Sequence, residues 1–212
     1  MLNLLIAYDD TNINRGDYFR DSHDHLVSNL TEIVDINRLS IGSLSCNDQS
    51  IDHYISQFKG EPHVFVAYAH GSEEAIQITD IDYIHNKNAY LFSETLFYAC
   101  SCLTAQKLGQ KLIEHGCRVF LGYNKKISSG NPETEPIYFT CENAFLVDFL
   151  LTGNSIEKSL DIMYDKYTEM IKHLRVNYGV FDASILDANL DSFEIICNKK
   201  DLCLTKIDFQ LL

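Results

Sequence analysis

Only three prolines punctuate the 212 residues. No Gly/Ser-rich linker, low-complexity tract or internal repeat divides them either, so residues 1–212 read as a single domain. Basic clusters are also missing. Seventeen Lys and Arg stand against thirty Asp and Glu, a formal net charge of -13, and the longest basic runs are the pairs Lys125-Lys126 and Lys199-Lys200. Neutralising a phosphate backbone takes clustered cations, which excludes a nucleic-acid partner. The acidic surface is an ordinary solubility device and is compatible with a basic peptide. No apolar stretch approaches the ~20 residues that cross a bilayer, which excludes a membrane span. The apolar start, Leu2 to Tyr8, lacks a basic leader and a small-residue cleavage site and runs into Asp9-Asp10, so it reads as a buried strand.

A disulfide framework is absent too. The seven Cys are odd in number and scattered, and Cys117, Cys197 and Cys203 sit in apolar, strand-like runs. Buried thiols of this kind point to a reducing compartment, with the cytoplasm as the expected location. Neither Gly-x-Gly-x-x-Gly nor Gly-x-x-x-x-Gly-Lys occurs at a strand-to-helix turn, which argues against a phosphate-cradling nucleotide domain. Ser101 lacks the Gly-x-Ser-x-Gly elbow of a serine hydrolase. Cys100, Cys102, His70 and Cys117 do not form the second paired motif that a structural zinc site requires, so no metal is expected.

What is present is alternation. Strand-like runs at Leu2–Tyr8, Glu32–Asn37, His63–Ala69, Thr95–Ala99 and Cys117–Gly122 alternate with helical patterns. The helices are expected at His23–Leu30, Asp48–Phe58, Asp80–Asn86, Leu103–His115, Pro136–Leu151 and Ser155–Leu174. Residues 123–135 form a polar loop, where an activation cleavage or a mobile lid is expected. Phe193–Cys197 and Leu202–Thr205 read as a terminal strand pair. Such alternation implies crossover connections, a mostly parallel sheet and helices on both faces, with chemistry at the carboxyl ends of the strands.

Two residues meet that positional test. His70 follows the run 63–69, and Cys100 follows the run 95–99. Adjacent parallel strands lie about 4.8 Å apart, which brings matched ends within reach. An imidazole beside a thiol raises the thiolate fraction and later protonates a leaving amine. Gly71 lacks a Cβ, so a substrate carbonyl can approach, and the N–H groups of Gly71 and Cys100 suit an oxyanion hole. A helix expected from Leu103 would favour the thiolate through its N-terminal partial charge. His23 and His25 lie in a polar helical stretch and read as solvent-facing.

The block Val64-Phe65-Val66-Ala67-Tyr68-Ala69-His70-Gly71 resembles the apolar-strand His-Gly block of caspase-like (clan CD) cysteine peptidases, especially the CHAT and gingipain-like branches. Leu96-Phe97-Tyr98-Ala99-Cys100 is similar to their strand ending in Ala-Cys. The likeness runs on through Ala105–Asn124 and Ala144–Ile156, covering about residues 60–160. It implies a three-layer α/β caspase-haemoglobinase-like fold and peptide-bond hydrolysis by a His70/Cys100 dyad without a cofactor. The substrate would be a protein or peptide, with an activating partner or self-cleavage. Where relatives carry a small residue two places after the nucleophile, this chain has Cys102, which leaves two thiols to choose between; Cys100 is favoured because it ends the strand. The acids Glu133 and Glu135 suit a basic first-subsite residue through charge-assisted hydrogen bonds. The alternative from another class is a catalytically silent caspase-like module that binds a protein partner.

Overall fold

The first strand, β1 (Leu2–Tyr8), is buried on both faces, as a near-continuous apolar run in the middle of a parallel sheet must be. Its alternate residues feed two cores. Leu2, Leu4 and Ile6 point to one side, and Leu5 and Ala7 to the other. The computed structural model describes residues 1–210. In it β1 lies between β2 (Ile36–Gly42) and β3 (His63–Tyr68), followed outward by β7 (Thr95–Cys100), β8 (Val119–Tyr123) and β9 (Phe193–Cys197). All pairs are parallel except β8 with β9. Between β3 and β7 the chain makes a small antiparallel sheet of β4 (His70–Gly71), β5 (Ala75–Ile78) and β6 (Ile81–His85).

Helices cover both faces, giving a three-layer α/β architecture. On one side pack α1 (Gly16–Asn29), α4 (Glu135–Thr152), α5 (Ile156–Asn177) and α6 (Val180–Ser192). On the other lie α2 (Asp48–Ser56) and α3 (Leu108–Glu114), with β5 and β6. No helix among the described residues is long and apolar enough to cross a membrane.

The α4 side is unusually rich in tyrosine, and its hydroxyls set the helix over the sheet. Tyr68, Tyr98, Tyr123, Tyr138 and Tyr167 are fully buried, so each hydroxyl needs a partner; an unmade one costs about 1–3 kcal/mol. Tyr68 donates to Asn143 Oδ1, Tyr98 to the Glu142 carbonyl, and Tyr138 to the Asp182 carbonyl. Tyr123 and Tyr167 pair with each other. Two adjacent residues in the middle of α4, Glu142 and Asn143, therefore receive bonds from β3 and β7 and lock the register of the helix.

Several sequence expectations shift. β2 begins at Ile36 rather than Glu32, and α1 begins at Gly16 rather than His23. Residues 81–85 are a strand, not part of a helix, because Thr79 and Asp80 adopt positive φ and turn the chain back onto β5. Residues 199–203 form a 3-10 turn instead of opening a strand pair. The helix α6 was not expected at all.

Candidate active site

Tyr68 of β3 stands opposite Cys100 of β7 in the parallel ladder. Both belong to the core on the α4 side, whereas Ala69 and Ala99 belong to the other. The two-residue period of extended chain then returns His70 to the Cys100 face. Its ring meets Phe19 of α1 edge-on, at 5.3 Å between centroids. His70, Cys100 and Cys102 line one half-open cavity of about 90 Å³, together with Arg15, Tyr18 and Phe19, Ile127–Ser129, and Glu142.

Cys100 is 1% exposed. Its Sγ–H donates to Glu142 Oε2 at 3.2 Å, and Tyr18 Oη–H donates to the same oxygen at 2.7 Å. Glu142 is itself buried and has no cationic partner among the described residues. Burial raises its carboxyl above the ordinary range, tempered by the bonds from Tyr18 and Cys100. Burial, and then the adjacent Glu142, push the Cys100 thiol well above its usual value. No hydrogen bond joins His70 to Cys100 among the described residues. The arrangement is a thiol and an imidazole on one cavity with no hydrogen bond between them.

The expected helix dipole behind Cys100 is absent. Residues 101–107 form turns, with Leu103 at φ 64, and α3 starts only at Leu108. The chain must leave β7 sharply to reach Lys125, whose carbonyl accepts from Leu103 N–H. Gly71 is required for a reason the sequence did not suggest. A Cβ there would lie 2.5 Å from the Cys102 carbonyl oxygen and 2.9 Å from Ser101 Cβ and Thr104 Cγ2. The missing side chain thus admits the turn after Cys100 and ties the His-Gly segment to it.

The remaining candidates fall in different places. The Cys102 thiol is bonded to the backbone of Ile127. Glu135 binds Arg15 at 3.3 Å and the Ser129 hydroxyl at 3.1 Å, whereas Glu133 is exposed. His23 is buried, stacks on Tyr8 at 4.2 Å and bonds Asp24 and Ser40, contrary to the solvent-facing expectation. His25 is half-buried against Thr140 and Asn143. Cys117 bonds the Thr95 carbonyl at the opposite end of β7 from Cys100. No group of three or more His, Cys, Asp or Glu among the described residues could hold a metal ion. The polar loop is tied down: Ser128 exchanges bonds with Asn189 at 3.1 and 2.8 Å, and Asn131 and Thr134 bond Asp182.

Two residues of this site, Glu142 and Tyr18, were not picked out by sequence reasoning. The available signal was the Glu142-Asn143 pair inside the apolar run Cys141 to Leu151. Glu142 is buried there, whereas Asp148 in the same run is half-buried, and a buried charge needs a purpose.

No family model and no curated protein matches the chain. Solved structures do. A secreted C11 cysteine protease from Bacteroides thetaiotaomicron, solved with an irreversible peptide inhibitor, matches with a TM-score of 0.55 at 11% identity, over 79% of this chain and 58% of its own. The complex of the Porphyromonas gingivalis RgpB pro- and mature domains matches with a TM-score of 0.61 at 13% identity, over 96% and 48%. The Arg-specific cysteine proteinase gingipain R (RgpB) matches at 0.60 and 10%, over 96% and 47%. This chain thus spans about half the length of these proteins, and at such identity the likeness is one of fold. That fold, a mostly parallel sheet between two helical layers, is the caspase-haemoglobinase-like fold of cysteine proteases.

Proposed function

We propose that this chain is a caspase-like cysteine endopeptidase, with Cys100 as nucleophile and His70 as general base and acid. The observation that carries this reading is that an imidazole and a thiol share one cavity at the carboxyl ends of adjacent parallel strands, on a fold used by cysteine proteases. His70 takes the Sγ proton as sulfur bonds to the scissile carbonyl carbon, and the N–H groups of Gly71 and Cys100 receive the oxyanion. The C–N bond then breaks as His70 returns the proton to the departing amine. Water hydrolyses the thioester, releasing a carboxylic acid and restoring the thiol. The chemistry needs no cofactor, and the seven free thiols fit a reducing compartment such as the cytoplasm. A basic residue at the cleaved position is our proposed preference. It rests chiefly on exposed Glu133, because Arg15 already balances Glu135.

A second reading, a silent module that binds a protein partner, is favoured by one observation: the thiol bonds Glu142 and not His70. Intact-mass labelling with a peptidyl electrophile bearing a basic first-position residue separates the two. The peptidase reading expects one adduct on the wild type, none on Cys100→Ala and slowed labelling of His70→Ala. Labelling that is absent throughout, or equal in all three, overturns it in favour of the binding module.

A further inference from the structure

The Cys100 thiol has two potential partners at its cavity, His70 and Glu142, and it is bonded to the second. Glu142 Oε2 is also the acceptor of the Tyr18 hydroxyl. Tyr18 belongs to α1, the element that also sets Phe19 against His70 and is preceded by Arg15, which bonds the opposite rim at Ser129 and Glu135. One helix therefore touches the His70 side, the Cys100 side and the cavity rim.

We propose that Glu142 is a positioning residue that holds the Cys100 thiol in a resting arrangement away from His70, with Tyr18 fixing its carboxyl. This rests on the reading of Cys100 as the nucleophile. While the Sγ–H points at Glu142, its proton is not available to His70. A carboxylate beside the sulfur also disfavours a second negative charge there. Engagement requires the thiol to leave Glu142, so the resting chain is a slow nucleophile and becomes a fast one when α1 or the Tyr18–Glu142 bond gives way. Burying a carboxyl without a cation is costly, and a neutral amide in α4 could accept the Tyr18 hydroxyl at less cost. A resting acceptor for the thiol gives the acid a purpose.

The groups facing the sulfur and the carboxyl are Tyr18 on α1, Tyr68, Tyr98 and Tyr123 on the sheet, Tyr167 on α5, Cys102, Cys141, His70 and Arg15. The tyrosines and the other thiols are raised by burial, and the His70→Ala variant controls for the imidazole on the same cavity.

The test is the pH–rate profile of Cys100 alkylation by iodoacetamide, followed by peptide mass mapping. It is run on the wild type, His70→Ala, Glu142→Gln and Tyr18→Phe, with thermal unfolding as a fold control. The wild type is expected to titrate above the ordinary thiol value of about 8.5, and His70→Ala to superimpose on it. Glu142→Gln is expected to alkylate at least about tenfold faster at neutral pH, the change that one unit in thiol pKa produces. Tyr18→Phe should shift the profile the same way by less, because the carboxyl loses the bond that fixes it beside the sulfur and takes up a proton more readily; it also serves if Glu142→Gln does not fold. A wild-type profile at or below about 8.5, or profiles of the Glu142 and Tyr18 variants that superimpose on the wild type, overturns the proposal. Alkylation by this small reagent does not depend on peptidase activity. Absent peptidyl labelling with the shifted profiles intact would sink the peptidase reading and leave the Glu142 contact standing.

Discussion

Tyr68 and Cys100 are ladder partners across β3 and β7, and this pairing delivers His70, two residues further on, to the face from which the Cys100 thiol projects. Register alone does not hold His70 there, because β3 has ended and the chain is turning into the small antiparallel sheet. What holds it is the contact of Gly71 with the turn after Cys100.

That contact gives the first prediction. In Gly71→Ala the new Cβ meets backbone oxygen at 2.5 Å, an atom that cannot rotate away. The His-Gly segment and the 101–104 turn must separate. We expect a loss of about 1–3 kcal/mol, the usual cost of overpacking, read as a drop in melting temperature of about 2–4 °C per kcal/mol in a chain of this size. Peptidyl labelling of Cys100 should fall further than stability does, since the separation moves His70 relative to the sulfur. A variant that melts and labels like the wild type would remove Gly71 from the site.

The parts of the fold legible in the sequence are those where burial is one-sided or total. The runs 63–68 and 95–100 are buried at every position, and only a central strand or a fully buried helix tolerates that composition. The end of α4 was legible through Gly153, at φ 71, and the start of α5 through Ser155, whose side chain accepts from Lys158 N–H. Strand β6 was not, because it is a half-exposed partner whose pattern Ile81-Asp82-Tyr83-Ile84-His85 fits a helical turn as well as a strand. α6 was hidden for a related reason. Its polar residues Asp182, Asn189 and Ser192 are buried, where they bond the 124–134 loop and its own turn, so it carries no clean apolar stripe.

At the candidate site, residues that end strands are legible in the sequence and those that arrive from helices are not. His70 and Cys100 are found by counting along one run each. Glu142 comes from α4 and Tyr18 from α1, and their meeting depends on helix registers fixed by buried tyrosine hydroxyls. No local pattern encodes that distance.

His63 makes a prediction about pH. It is buried at the start of β3, with Nδ1 on the Glu61 carbonyl and Nε2 on Thr95 Oγ1, and burial lowers its pKa to about 4. In the unfolded chain the value is about 6.5. Between those values the unfolded state binds the extra proton, so stability is whole above about pH 6.5 and declines as pH falls towards 4. The full loss is about 3 kcal/mol. Urea unfolding of the wild type against His63→Gln across that range should show the wild type losing this increment relative to the variant. Parallel stability curves would mean that His63 is protonated in the fold.

Arg15 supplies the last prediction, and it bears on specificity. The guanidinium lines the cavity, is 39% exposed and meets a Glu135 carboxylate that is 22% exposed. A half-exposed pair of this kind contributes about 0–1 kcal/mol to stability, so Arg15→Ala should melt close to the wild type. Its effect on recognition should be larger. Removing the cation frees Glu135 for a substrate guanidinium or ammonium, alongside Glu133. Labelling by a probe with Arg or Lys at the first position should then rise about tenfold relative to one with Asp, a change of about 1.4 kcal/mol in differential binding. Parallel rates for the two probes, each measured on both proteins, decide the matter. If the wild type instead prefers the Asp probe and loses that preference in Arg15→Ala, then Arg15 is itself the subsite. Glu133 and Glu135 are in that case surface charges, and cleavage follows acidic residues.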